Sequence, residues 1–176
     1  MTRPARIDES FDLSIDMLTC LWGGLMVPKL CGNELKMKLA SFPHLISLKS
    51  SFPEESQLSR DNYFSICSDD DRFRSVANQG ACMVAVFAFE SLRNHRGYDK
   101  VKDKVPVMFL RHLRNAASHG NNFNFISSQS GKIIDPGRVE WGSKIINKDL
   151  QGKTAFPDFF PQGDFAYLFE DISKLL

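Results

Sequence analysis

The stretch Pro106-Val107-Met108-Phe109-Leu110-Arg111-His112-Leu113-Arg114-Asn115-Ala116-Ala117-Ser118-His119-Gly120 decides how the chain is expected to fold. Proline suits the first turn of a helix, where its missing N–H leaves no bond unmade. Val107, Leu110, Leu113 and Ala117 recur at helical spacing, and Phe109 and Ala116 widen the apolar face. Gly120 is a natural left-handed stop. The pattern predicts a helix that buries one side and ends on polar residues able to do chemistry.

Working toward the N-terminus, a charged loop precedes this helix and Gly97 breaks the pattern before it. Asp69 to Asp71 offer caps and first-turn acids for a long helix through about Asn94. Its middle, Ala81 to Phe89, is apolar nearly all round, as in a helix central to a bundle. Further back, Ser10 is the expected cap of a helix through Met26, with Phe11, Ile15, Leu18, Trp22, Leu25 and Met26 on one face. Gly23 and Gly24 weaken that helix or mark close packing, and Pro28 argues for a break or kink. Short helical pieces are expected at Glu34–Ala40 and His44–Lys49, punctuated by Pro43 and Pro53. Phe52–Ser68 has no clear period.

Toward the C-terminus the texture changes. Phe123 and Phe125 alternate with asparagine, which suits a strand. Ile133 and Ile134 precede the turn signal Asp135-Pro136-Gly137, Val139 and Trp141 follow, and Ile145 and Ile146 lead to a turn at Gly152. The expectation is a small antiparallel β appendage over about 123–153. A proline-punctuated connector follows, and then a last helix capped by Asp164, with Phe165, Leu168, Phe169 and Ile172 inward. The fold class is mainly α, a single domain over 1–176 with its helical core in about 10–120 and 164–176.

Composition agrees. The chain has 176 residues, 43% of them hydrophobic and 24% charged, enough for a globular domain that buries roughly 70% of its unfolded surface. Fifteen phenylalanines are an unusual share. The net charge of +1 excludes a globally basic nucleic-acid coat. Cys20, Cys31, Cys67 and Cys82 lack metal-ligand spacing and sit among apolar neighbours, so buried reduced thiols are expected. No cofactor or metal is implied. Acids interrupt the N-terminal apolar run, and Met17–Val27 is about half a bilayer span. A cytoplasmic protein with no membrane partner is the expectation.

The charge is not evenly spread. Between Arg93 and Arg114 lie seven cations (Arg93, Arg96, Lys100, Lys102, Lys104, Arg111, Arg114) against two acids, Asp99 and Asp103, a local charge of +5. Such a run fits a phosphate-bearing partner. Charge by itself favours a solvated loop between helices. His119 sits where the last helical carbonyls point, and that negative end favours imidazolium. Histidine is a residue type suited to acid or base work at neutral pH. Arg114, five residues earlier, lies about 140° away on a regular helix. The two share a site only if the helix ends between them or if two copies contribute. The plainer alternative is a histidine that closes the helix and an arginine paired to an acid.

Arg114-Asn115-Ala116-Ala117-Ser118-His119 resembles the R-x4-6-H signature of the HEPN superfamily, with a polar residue directly after the arginine. The likeness covers Ser10 to Gly120, extends at most to the C-terminal helix, and leaves the β segment outside. It implies a HEPN-like helical bundle. It also implies a homodimeric, metal-independent endoribonuclease, in toxin–antitoxin or defence settings, whose partners are RNA and a possible cognate antitoxin. By that resemblance Arg114 holds the scissile phosphate, His119 is the general base or acid, and Asn115 orients the histidine or binds phosphate. Arg111 and Ser118 are neighbours that contact substrate, and Glu90 is the acid set against the motif. Asn121 departs from the toxin branch, which carries tyrosine there. The alternative within the family is a catalytically silent module that binds RNA, a nucleotide or a partner protein.

Other constellations are weaker. Arg93-Asn94-His95-Arg96 lacks the spacing and reads as a charged helix end. His44 reads as structural. His112 lies nearly in line with His119 on a helix and reads as a flank position. Neither a phosphate-binding glycine loop nor a nucleophile elbow is present.

Overall fold

The structure is a computed structural model that describes residues 7–38, 44–48, 56–127 and 129–176. Its elements in chain order are helix α1 (Asp12–Lys38), strands β1 (His44–Leu48) and β2 (Ser56–Ser59), helices α2 (Arg60–Ser68), α3 (Asp70–Arg93), α4 (Tyr98–Val101) and α5 (Val105–Ser118), strands β3 (Val139–Trp141) and β4 (Lys144–Ile146), and helix α6 (Asp164–Ser173). The protein is mainly helical, as the sequence predicts. No helix among the described residues is long and apolar enough to cross a membrane.

The chain divides into two compact units: Met1–Leu18 with Asn78–Leu176, and Thr19–Ala77. The larger unit is an aromatic assembly. Phe11, Phe109, Phe123, Phe156, Phe160, Phe165 and Phe169 are all fully buried. Phe11 stacks on Phe169 at 4.6 Å, Phe165 links Phe169 to Phe156 and Phe160, and Phe109 meets both Phe160 and Trp141. Each such pair adds about 0.5–1.5 kcal/mol beyond burial of area. This use of phenylalanine accounts for its high frequency. Helix α5 lies against β3 and α6 and feeds Val107, Phe109, Leu110, Leu113 and Ala116 into the core. Helix α6 feeds in Phe165, Leu168, Phe169 and Ile172, the four residues its spacing predicts.

The smaller unit holds the β1–β2 antiparallel pair, in which Ile46 faces Leu58 across the ladder. Leu25, Cys67 and Ala77 form a buried cluster there, with Leu21, Tyr63 and Phe73 packed on it. The Tyr63 hydroxyl donates to the Gly24 carbonyl of α1.

Several expectations need correction. Asp8, not Ser10, caps the first helical turn, because its carboxylate accepts from the Ser10 N–H at 2.9 Å. Pro28 does not end α1, which runs on to Lys38 and takes in the piece expected from Glu34. A proline removes one donor and leaves the other bonds of a long helix standing. His44–Leu48 is a strand rather than a helix, since a short apolar run satisfies either period and its pairing partner lies downstream. A Cβ on Gly23 or Gly24 would meet nothing within 4 Å, so neither marks a close approach that only glycine permits. Asp164 is the first residue of α6 instead of its cap, and its carboxylate meets Lys144 Nζ at 3.4 Å. Cys20 is exposed, while Cys67 and Cys82 are buried free thiols. Pro43, Pro53, Phe52, the Cys31 thiol and the His44 ring lie outside the described residues.

The segment 123–153 is less regular than expected and is no appendage. Its antiparallel pair is β3 with β4, joined by Gly142-Ser143, with Gly142 at φ +58° as such a two-residue turn requires. Phe123 and Phe125 lie outside the regular strands, flanked by isolated antiparallel bridges between Asn122 and Thr154 and between Ile126 and Ile133. Phe123, Phe125, Val139 and Ile146 are buried in the same core as α5 and α6. The Trp141 indole N–H donates to Asp171 of α6 at 3.0 Å.

Candidate functional site at the end of helix α5

Helix α5 ends as its sequence dictates. Pro106 stands in its first turn, and the last helical residue is Ser118. The His119 N–H donates to the carbonyls of Asn115 and Ala116, both at 3.1 Å, and its backbone (φ −110°, ψ 40°) leaves the helix. Gly120 and Asn121 follow in the left-handed region, at φ +69° and +68°. The helix therefore does end between Arg114 and His119.

Arg114 is half-buried. One guanidinium nitrogen meets Glu90 Oε1 at 2.7 Å and the other donates to Asn115 Oδ1 at 3.3 Å. The guanidinium carbon lies 5.9 Å from the centre of the Phe89 ring, and Nε is buried without a partner. Glu90 also takes Arg93 at 3.4 Å. Two cations thus share one carboxylate, and the group keeps a net positive charge. An ion pair this exposed contributes about 1 kcal/mol or less, so Arg114 can release Glu90 for an anion at small cost. Asn115 joins the two ends of the motif: its side chain accepts from Arg114, and its carbonyl accepts from the His119 N–H.

The Ser118 hydroxyl donates to the Arg114 carbonyl at 3.0 Å, a bond back into its own helix. Arg111 is half-buried one turn before Arg114. His119 is exposed, and its Nδ1 lies 3.3 Å from the side-chain nitrogen of Asn124. Among the described residues, no hydrogen bond joins the His119 ring to Arg114, Asn115 or Ser118. Arg96, Lys100, Lys102 and Lys104 are all exposed, and Lys102 pairs with Asp99 at 3.2 Å. Arg93 ends α3, as its charged stretch predicts.

His112 occupies a different environment. Its ring meets Phe125 edge-on at 5.9 Å, and its Nε2 is buried without a partner. Burial, with a smaller contribution from the Arg111 charge, pushes its pKa down to about 4. At neutral pH it is an uncharged core neighbour, not a proton carrier.

Two residues of this region carry no signal in the motif. Asn121 hydrogen-bonds the Phe156 backbone twice: Nδ2 donates to the carbonyl at 2.7 Å, and Oδ1 accepts from the N–H at 2.9 Å. Asn124 accepts from the Ile126 N–H at 3.0 Å while facing His119. Only the tolerance of asparagine for left-handed backbone and Asx turns hints at either in the sequence. No protein-family model, curated protein or solved structure significantly matches this chain.

Proposed function

We propose that this chain is a HEPN-type, metal-independent endoribonuclease that works as a homodimer. The observation that carries the reading is the end of α5: a half-buried Arg114 held by Glu90 and Asn115, and an exposed His119 just past the last helical turn. The exposed cations from Arg93 to Lys104 support an anionic partner. In the proposed reaction the 2′-oxygen of one nucleotide bonds to the adjacent phosphorus as the bond to the next 5′-oxygen breaks. The 2′-hydroxyl loses its proton and the 5′-oxygen gains one. A 2′,3′-cyclic phosphate and a 5′-hydroxyl result. Arg114 leaves Glu90 to hold the phosphate and stabilise its developing charge. His119 acts at the same phosphate, as general base or acid or as a hydrogen-bond donor. Asn115 steadies both, and Arg111 and Ser118 border the bound strand.

Dimerisation is supported by Met83 and Phe87, which are 52% and 44% exposed at helical spacing from Glu90 on α3. Two copies joined there bring two motifs together. Defence or toxin roles with a cognate antitoxin, and a cytoplasmic setting, belong to the same reading.

Purified wild type is expected to cleave RNA in EDTA and leave cyclic phosphate ends, and both Arg114→Ala and His119→Ala are expected to lose that activity. Equal cleavage by His119→Ala overturns the assignment. A second reading, a silent RNA-binding module, is favoured by the Glu90 carboxylate that occupies Arg114 in the free chain. Salt-sensitive RNA binding without cleavage is its signature.

A further inference from the structure

The contact between His119 and Asn124 has a chemical direction. Asn124 Oδ1 accepts from the Ile126 N–H at 3.0 Å. Rotating the amide would point its NH2 group at that N–H, donor against donor, so the hydrogen-bond network fixes which end is which. The end facing His119 Nδ1 at 3.3 Å is therefore the NH2 group. A nitrogen that receives this hydrogen bond must offer a lone pair. In the neutral ring the proton then sits on Nε2, away from Asn124.

We propose that Asn124 is a positioning residue that fixes the proton of neutral His119 on Nε2, so that the ring meets a phosphate oxygen as a hydrogen-bond donor. The ligand class, the phosphodiester of RNA, rests on the function proposed above; the position of the proton does not. A neutral ring with Nε2–H outward cannot accept the proton of a 2′-hydroxyl at that nitrogen. It serves Arg114 as a second donor to the anion. This narrows the role of His119 from a base or an acid to a hydrogen-bond donor, with solvent water taking the 2′-hydroxyl proton and supplying the one that the 5′-oxygen gains. Asn124→Asp inverts the arrangement. One carboxylate oxygen keeps the Ile126 N–H, the other accepts from Nδ1–H, and Nε2 is left with a lone pair outward.

The test uses the full chain with nitrogen-15-labelled histidine and long-range proton–nitrogen correlation spectra at a pH where the ring is neutral. Wild type is expected to show the Nε2–H form at His119. Asn124→Ala is expected to raise the share of Nδ1–H, and Asn124→Asp to make that form dominant. A purely structural Asn124 would leave the ratio unmoved. Nδ1–H in wild type, or a ratio unchanged in both variants, overturns the proposal. A short single-stranded RNA added to wild type is expected to shift the Nε2–H signal. An unmoved signal overturns the phosphate role, leaves the proton assignment standing, and separates that failure from a failure of the nuclease reading.

Discussion

His112 and His119 stand two turns apart on one stretch of chain, and the structure treats them in opposite ways. His112 lies against Phe125 with a buried, unpartnered Nε2, so burial keeps it neutral. His119 stands in solvent past the helix end, with one ring nitrogen held by an amide and the other free to meet a ligand. The chemical capacity of each ring follows from its surroundings. Helix α5 uses its middle for packing, and its C-terminal end carries the candidate chemistry.

The comparison is tested most sharply by activity. On the proposed function, His119→Ala and Arg114→Ala are each expected to lower RNA cleavage by at least about 100-fold, since each removes a hydrogen-bond donor assigned to the reacting phosphate. His112→Leu is expected to keep it. Initial rates of all three at matched folded concentration check this, and a matching loss in His112→Leu would erase the distinction between the two rings.

A second test loosens the end of the helix without touching its ring. Asn121→Ala removes two hydrogen bonds to Phe156 and puts alanine at φ +68°. A loss of about 2–3 kcal/mol is expected in denaturant unfolding.

A third test isolates His112. An unfolded histidine takes up a proton near pH 6.5, whereas the folded His112 does so only near 4. The unfolded chain therefore binds more protons between those values, and stability falls as pH drops from about 6.5 to 4. The contribution present above pH 6.5 is on the order of 2 kcal/mol and is gone below 4. His112→Leu is expected to flatten that part of the stability–pH curve, and an unchanged slope would place the effect elsewhere. The smallest change is Gly120→Ala: its Cβ meets no atom within 4 Å, so only the φ of +69° opposes it, at about 1 kcal/mol. Thermal unfolding of the pair Gly120→Ala and Asn121→Ala ranks the two positions.

Much of the larger unit is legible in the sequence because its helices announce both ends. Helix α5 has Pro106 at its start and Gly120 after its end, and α6 shows four apolar residues at helical spacing. His44–Leu48 is not legible, because five residues fit either period and the pairing with Ser56–Ser59 is a tertiary fact. Phe123 and Phe125 look like one face of a strand, yet what orders them is the aromatic core they enter. At the site, Arg114, Asn115 and His119 are visible in the motif, and Glu90 follows from the family resemblance. Asn121 and Asn124 act through hydrogen bonds to backbone and to a ring, and those partners are set by the fold, not by local spacing.

The two hydrogen bonds from Asn121 to Phe156 also impose an order in time. A chain leaving the ribosome completes the residues of α5 well before Phe156 emerges. Until then the loop after His119 lacks the strap that fixes its path, and the closing contact spans 35 residues of sequence. The helix can form early from its own local bonds, but the end that bears His119 reaches its final geometry only once Phe156 has docked. A growing chain surrounded by ribosomal RNA thus carries this motif in an unfinished state until most of the larger unit has been made.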